Sequence, residues 1–293
     1  MSETHNACPL CDSPGTAALE KDGYVIFDCV SCGHRFLPVT DPGKHVAEVY
    51  DDSYFEGGGA GYSDYLIEER MLIERGMMYA DLLSSISIET GTMLDIGASA
   101  GCILKGFVER GWRGRGIEPN GKMARIGSDR YGIEIAEGDF ESYVTDEKFD
   151  LVSMIQVAGH LYDPKAAFQK AFEILRPGGA LLVETWNRDS LLARMFGRFW
   201  HEYSPPSVVQ WFSEDGLESF LNLLGFEKWH GGRPEKTISG EHARSLLEYK
   251  YGNFPLFKLI PSRVRFPYPS EDLFWAVYGK PRVKSAQESE KND

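Results

Sequence analysis

Short apolar runs alternate with segments of helical periodicity through the middle of this chain. Thr92-Met93-Leu94-Asp95-Ile96 reads as a strand that enters a small-residue turn, Gly97-Ala98-Ser99-Ala100-Gly101. A helix then begins near Gly101, with Leu104, Phe107 and Val108 on its apolar side. Gly114 to Glu118 supplies a short second strand, Tyr131 to Ala136 a third, Phe149 to Ile155 a fourth and Ala180 to Glu184 a fifth. Before the fifth, Asp163 caps a helix that has Pro164 at its first position, and Ala167, Phe168, Ala171, Phe172 and Leu175 form its inner face. Pro177-Gly178-Gly179 is expected to break the chain ahead of that strand. Strands and helices alternating at this interval predict an α/β fold with a parallel sheet covered on both faces.

The flanks are less regular. Upstream, Leu66, Ile67, Met71, Leu72, Met77, Met78, Leu82 and Leu83 recur at roughly helical spacing and predict a helix within Tyr62 to Ile88. The aromatic stretch Val49 to Glu56, followed by the glycine run 57–61, reads either as a flap over a cleft or as a plain connector. Downstream, Ser213 caps a helix from Glu214 to Leu224 that Gly225 ends, and Phe226 to Trp229 is strand-like. The segment 231–270 is longer than a hairpin needs, carries a helical pattern from Ala243 to Tyr251, and is expected to cap the cleft. Leu273 to Gly279 reads as the last strand, and 285–293 is polar and expected to be disordered. The boundaries that follow are 1–40, a small N-terminal unit; 41–90, a linker and helical segment; and 91–284, the α/β body.

Charge removes some functions from consideration. The chain has 293 residues with a formal charge of -13, which opposes attraction to nucleic-acid phosphates or anionic lipid. No apolar run reaches membrane-spanning length, and the polar start lacks the apolar core of a signal segment. A cytoplasmic location is the expectation.

Four of the five cysteines fall in two Cys-x-x-Cys pairs, Cys8/Cys11 and Cys29/Cys32, with 17 residues between the pairs. Two such turns present four sulfurs to one point, the donor set of a structural zinc site. Gly33 allows the tight second turn, so a zinc ribbon is expected over residues 1–40. His34 stands beside it as a spare donor. A site closed by four thiolates leaves no position for water, which points to a structural or docking role.

The carboxylates at strand ends carry the candidate chemistry. Asp95 ends the first strand, and Glu118 ends the second, 17 residues after Gly101. In open α/β sheets ligands sit beyond the carboxyl ends of the strands, where an acid can hold a ribose diol. Gly138-Asp139-Phe140 follows the third strand with an acceptor for an amino-purine and an aromatic surface.

On these residues the chain resembles the class I S-adenosylmethionine-dependent methyltransferases. Leu94 to Gly101 is similar to the family's first motif, Glu118 to its ribose-binding acid, and Gly138-Asp139-Phe140 to its adenine segment. The run from Phe149 through His160-Leu161-Tyr162-Asp163-Pro164 to Leu175-Arg176-Pro177-Gly178-Gly179 is the most specific part. Ser99 stands where that family usually has glycine, and Gly159 where an acid is common. The subgroup it looks like includes ubiquinone-biosynthesis-type and glycan O-methyltransferases.

The resemblance implies a Rossmann-like, seven-stranded, mostly parallel sheet whose last strand is antiparallel. It implies S-adenosylmethionine as cofactor, held by Asp95, Gly97, Ala98, Gly101, Glu118, Pro119, Asp139, Phe140 and Gln156. The acceptor is expected to be a small molecule or glycan, with His160 and His201 as candidate bases. The alternatives are a zinc-containing ribosomal-RNA base methyltransferase and a non-catalytic cofactor-binding protein that docks a partner through its ribbon.

Overall fold

The computed structural model describes residues 6–51, 65–234, 236–240, 244, 247–248, 254–261, 264–268 and 270–282. The chain begins with an antiparallel hairpin, β1 (Gly15–Lys21) and β2 (Tyr24–Cys29). Asp22 and Gly23 make its two-residue turn, both at positive φ (51° and 84°), the pairing that lets the strands keep their twist. A two-residue strand, β3 (Arg35–Phe36), adds to β2.

Within the segment expected to be a linker and helical stretch, Pro42–Val49 folds into helix α1. Asp41 caps it by accepting from the Lys44 amide, and Pro42 occupies a position whose N–H has no helical partner in any case. A 3-10 turn (Tyr65–Glu68) leads into α2 (Glu69–Ser85). The flap or connector proposed for 49–61 falls mostly on residues outside those described.

The body then alternates as the pattern requires: β4 (Thr92–Ile96), α3 (Cys102–Glu109), β5 (Arg113–Glu118), α4 (Gly121–Tyr131), β6 (Ile135–Glu137), β7 (Phe149–Ile155), α5 (Pro164–Ile174) and β8 (Leu175–Trp186). Two boundaries differ from expectation. Tyr131 belongs to α4, because the helix runs on until Gly132 turns it off at a φ of 65°. And Pro177-Gly178-Gly179 does not interrupt β8. Gly178 takes a φ of 83°, and the backbone there pairs with Lys280 at both Gly178 N and Gly179 O, so the strand continues through the irregularity.

After β8 come a short helix α6 (Leu191–Phe196), β9 (Gln210–Trp211), α7 (Glu214–Leu223), β10 (Glu227–Gly232), β11 (Lys236–Ser239), β12 (Arg265–Tyr268) and β13 (Leu273–Gly279). The main sheet has seven strands in the order β10-β13-β8-β7-β4-β5-β6. β13 is antiparallel to both neighbours, β8 and β10, so it alone runs against the rest. This is the seven-stranded, mostly parallel, Rossmann-like arrangement that the sequence implied.

Both faces are covered. On one, Tyr79, Leu83, Leu104, Phe107 and Trp112 pack against Met93, Leu151 and Leu182. Gly76 and Gly106 let α2 and α3 cross at close range: a Cβ on either would fall about 2 Å from a carbonyl oxygen of the other helix. On the other face, Phe168, Phe212, Leu217 and Phe220 join a core that also contains Cys8, Leu10, Cys29 and Phe36.

The N-terminal unit is therefore continuous with the body. β9, from well past β8, pairs antiparallel with β3 and completes a second, four-stranded sheet, β1-β2-β3-β9. In the segment expected to cap the cleft, β11 pairs with β12 as a separate two-stranded sheet. Of the run expected to be helical, Ala243 to Tyr251, only Arg244, Leu247 and Glu248 are described, and these are helical. The tail from 285 onward lies outside the described residues.

Candidate active site

β4 is the point where the strand order reverses: β5 and β6 lie to one side of it, β7 and β8 to the other. Beyond the carboxyl ends of β4 and β5 lies a cleft. Open α/β sheets bind ligands at this kind of switch point, because the diverging loops leave a crevice there.

The turn after β4 builds one wall. Gly97 adopts a φ of 67°, and a Cβ there would sit 2.6 Å from the Val157 side chain. Glycine is thus required both for the dihedral and for the approach. Gly101, at a φ of 70°, is the N-terminal cap residue of α3. Ser99 also takes a left-handed φ, 50°, although it carries a Cβ. Its hydroxyl is buried without a hydrogen-bond partner.

Glu118 holds this turn in place. One carboxylate oxygen accepts from the Ser99 amide at 2.8 Å, the other from the Asn120 amide at 2.9 Å. Burial pushes its carboxyl up to about 7, against the pull of those two amides. Asp95 is also buried and accepts from the Ser153 hydroxyl at 2.6 Å. Burial, with the charge of Glu118 adding to it, lifts Asp95 to about 7 against the Ser153 bond. Two buried acids facing one cleft have a strong demand for hydroxyl or cationic partners.

The far wall carries Asp139, Phe140 and Glu141. Asp139 accepts from the Tyr162 hydroxyl at 2.7 Å and from the Ser142 amide and hydroxyl. Burial alone would raise it, but these bonds hold it below the ordinary carboxylate range. Phe140 is fixed from behind by Lys170, whose ammonium bonds its carbonyl and sits 5.4 Å from the ring centre. At the floor, Gln156 takes a φ of 61° and donates its side-chain amide to the buried Glu184 at 2.9 Å. Arg75 and Tyr79, from α2, bond the same carboxylate.

His160 lies on the 3-10 turn Ala158–His160 that follows β7. Its Nδ1 is 2.7 Å from the Ser207 carbonyl oxygen. A carbonyl can only accept, so in the neutral ring Nδ1 carries the proton and Nε2 keeps the lone pair. The Tyr50 hydroxyl donates to the same carbonyl at 3.0 Å. Burial, with His45 adding to it, moves His160 below the ordinary imidazole value, opposed by the Ser207 bond.

Of the cofactor-binding residues expected from sequence, Asp95, Gly97, Ala98, Glu118, Pro119, Asp139, Phe140 and Gln156 line this one cleft, as does His160. Gly101 stands just behind it, as the cap of α3. His201 is not brought to the cleft. Its side chain is 47% exposed, near Glu202 and Asp272, with its ring edge-on to Trp186. None of the described lining residues comes from 231–270; α1 supplies Val46 to the cleft, and Tyr50, its C-terminal cap residue, contributes as well. Sequence reasoning also missed Arg75, whose position on a helix of apolar spacing gave no sign of its direction, and Ser207, whose contribution is a backbone carbonyl.

The four ribbon cysteines converge. Their sulfurs lie within 4.8 Å of one another, with contacts of 3.4, 3.5 and 3.6 Å. A tetrahedron of sulfurs at a Zn–S distance of about 2.3 Å has edges of about 3.8 Å, so the donor set fits zinc. The amides of Ser31 and Cys32 both point at the Cys29 sulfur, at 3.4 Å each, which steadies a thiolate.

A glycine turn at a switch point, an acid at each of two adjacent strand ends and a single reversed strand define a nucleoside-binding α/β protein of the class I methyltransferase type. The chain belongs to the methyltransferase family, within the class I S-adenosylmethionine-dependent methyltransferases: a family model described as "Methyltransferase domain" matches residues 72–230, more than half of it.

The curated relatives include a ubiquinone biosynthesis O-methyltransferase of Rhodopseudomonas palustris, 30% identical over 144 residues, which cover 45% of this chain and 57% of that protein. A protein of the same name from Alkalilimnicola ehrlichii is 22% identical over 204 residues, 66% of this chain and 80% of its own. The chain thus spans little more than half the length of the first of these. Among solved structures, a methyltransferase-family protein from Bacillus halodurans shares the fold with a TM-score of 0.52 at 17% identity, covering 69% of this chain and 98% of that one. Among the described residues no helix is long and apolar enough to cross a membrane.

Proposed function

We propose that this protein transfers the methyl group of S-adenosylmethionine to a hydroxyl oxygen of a small molecule or glycan. The observation that supports the reading best is the placement of His160. Its proton-bearing Nδ1 is tied to the Ser207 carbonyl at 2.7 Å, which leaves the Nε2 lone pair for an acceptor hydroxyl, and the residue lines the cleft that also holds Asp95 and Glu118.

When bound, the cofactor supplies an electrophilic methyl on a positively charged sulfur. The protein's part is to orient it and to hold one proton. Glu118 accepts the ribose hydroxyls while its own backbone bonds fix its direction. Asp95, the next-to-last residue of β4, would offset positive charge at the strand's end. Asp139 and Phe140 form the purine end. His160 takes the acceptor proton as its oxygen becomes nucleophilic. The O-methyltransferases among its relatives support oxygen as the target. Cys8, Cys11, Cys29 and Cys32 would hold a zinc ion with a structural role in this reading, and the cytoplasm is where cysteines stay out of disulfides and available to a metal.

Transfer of labelled methyl from the cofactor to a panel of quinols, catechols and glycans, with His160→Asn as control, tests the proposal. Label on a hydroxyl oxygen that disappears in the variant is the expected result. Label on nitrogen or carbon, or transfer that survives the substitution unchanged, would refute the assignment of oxygen or of the base respectively.

A further inference from the structure

A second recess opens where the ribbon meets the segment leaving β8. Arg35 of β3, Arg188, Arg194 of α6, Arg198 and Tyr203 line it, with Asp189 as the acid. None of these residues lines the cofactor cleft.

The charges there do not balance. Asp28 serves two guanidinium groups at once: Arg35 grips it at 2.7 and 2.6 Å, and Arg188 Nη1 reaches it at 3.1 Å. Asp189 lies 3.8 Å from Arg188 Nε. Among the described residues Arg194 and Arg198 have no acidic partner within 4.0 Å; Arg198 instead lies over the Phe199 ring, 4.9 Å from its centre. Four guanidinium groups face two carboxylates, on a chain whose net charge is -13. Arg35 and Arg188, 21% and 17% exposed, are anchored by Asp28, so the excess lies on Arg194 and Arg198, whose exposed guanidinium groups face the recess and can reach an incoming anion.

Donors remain unspent as well. Arg188 Nη2 meets no acceptor among the described residues. The Tyr203 hydroxyl accepts from Arg35, and its own proton is free to be donated. Ala18, Leu19 and Ala193 add an apolar side to the same recess.

We propose that this recess binds a phosphate or diphosphate group. Guanidinium forks arriving from several directions suit tetrahedral oxyanions, and an excess of two positive charges matches a dianion. The site is assembled from both parts of the chain: Ala18, Leu19 and Arg35 come from the ribbon, the other arginines from the body. It stands whether or not the acceptor of methyl transfer is a hydroxyl.

Calorimetry on the full, metal-loaded chain at low salt tests it, with inorganic pyrophosphate and uridine diphosphate as probes. An Arg194→Ala/Arg198→Ala double variant changes exposed side chains outside the cleft, so it should keep its fold; cofactor titration on the same samples verifies this. Saturable binding that weakens about tenfold or more in the double variant, and survives Glu118→Ala, is the expected result. Uridine diphosphate binding more tightly than pyrophosphate identifies an organic diphosphate as the ligand; equal affinity identifies the free anion. Absence of saturable binding, equal affinity in the double variant, or loss of binding in Glu118→Ala overturns the site. Cofactor binding retained in that case leaves the methyl-transfer reading untouched.

Discussion

The Gln210 side chain joins the ribbon to the turn that carries the candidate base. Its Oε1 lies 2.8 Å from His34 Nε2, and its Nε2 donates to the Leu161 carbonyl at 3.0 Å. One residue back, the Val209 amide donates to the Gly159 carbonyl at 2.8 Å, and the Leu37 amide donates to the Val209 carbonyl. His160 is thus bracketed on both sides by bonds to the strand that completes the ribbon sheet.

Gln210→Leu should therefore destabilise the fold and misplace the base together. Leaving His34 and the Leu161 carbonyl without partners in a buried setting costs about 1–3 kcal/mol for each. Denaturant unfolding should register that loss, while kcat falls and the cofactor dissociation constant moves less than about threefold.

His160→Asn should lower kcat by about 10²–10⁴ and leave cofactor affinity nearly intact. In the proposed role the base works in its neutral form, and burial in the folded structure favours that form. The rate should hold level as pH falls to the ordinary imidazole value of 6.5 and decline only below it. The same shift makes protonation unfavourable to folding, so this group's contribution to stability is present above 6.5 and is lost as pH falls through the lowered value. A break in the wild-type rate profile at or above 6.5, absent from the variant, would contradict this placement.

Asp95 and Glu118 behave in the opposite sense. Both are raised to about 7, from 3.8 and 4.5 respectively, so their contribution to folded stability is full at acid pH and is lost as pH rises through about 7. Ribose hydroxyls and positive charge favour the ionised forms. Cofactor binding near pH 6 should release protons, which titrations in buffers of different ionisation heat will detect. Glu118→Ala removes the acceptor of two amides and should weaken the cofactor about 10- to 100-fold.

Metal analysis of the purified protein should find about one zinc per chain, and Cys29→Ser should reduce it. Cys8, Cys29 and Phe36 share a core with Phe168 and Phe212, so metal loss should loosen the β3–β9 pairing as well as the ribbon. Hydrogen exchange at Leu37 and Val209 will show it as faster exchange in the stripped protein. Unchanged protection there would mean that the ribbon sheet does not depend on the metal.

Local pattern alone determined much of this protein. Alternation of apolar runs with helical periodicity specified the order of β4 to β8 and their helices, because burial on a sheet repeats every two residues and on a helix about every 3.6. Caps at Asp163 and Ser213 fell where the sequence put them, since a side chain that bonds an amide three residues on needs nothing from elsewhere. The paired cysteines and the strand-end acids were legible for the same reason: their spacing already brings them near a turn or an edge.

Tertiary structure decided what depends on residues distant along the chain. Pairing of β3 with β9 turned an apparently separate ribbon into part of one body, across a separation that no local window spans. It also separated the two candidate histidines, bringing only His160 to the cleft. A carbonyl 47 positions away fixes the tautomer of His160, whereas packing against Trp186 leaves His201 on the surface. Hydrogen bonds to backbone carbonyls leave no mark in side-chain identity, and so this part of the chemistry became visible only once the chain had closed on itself.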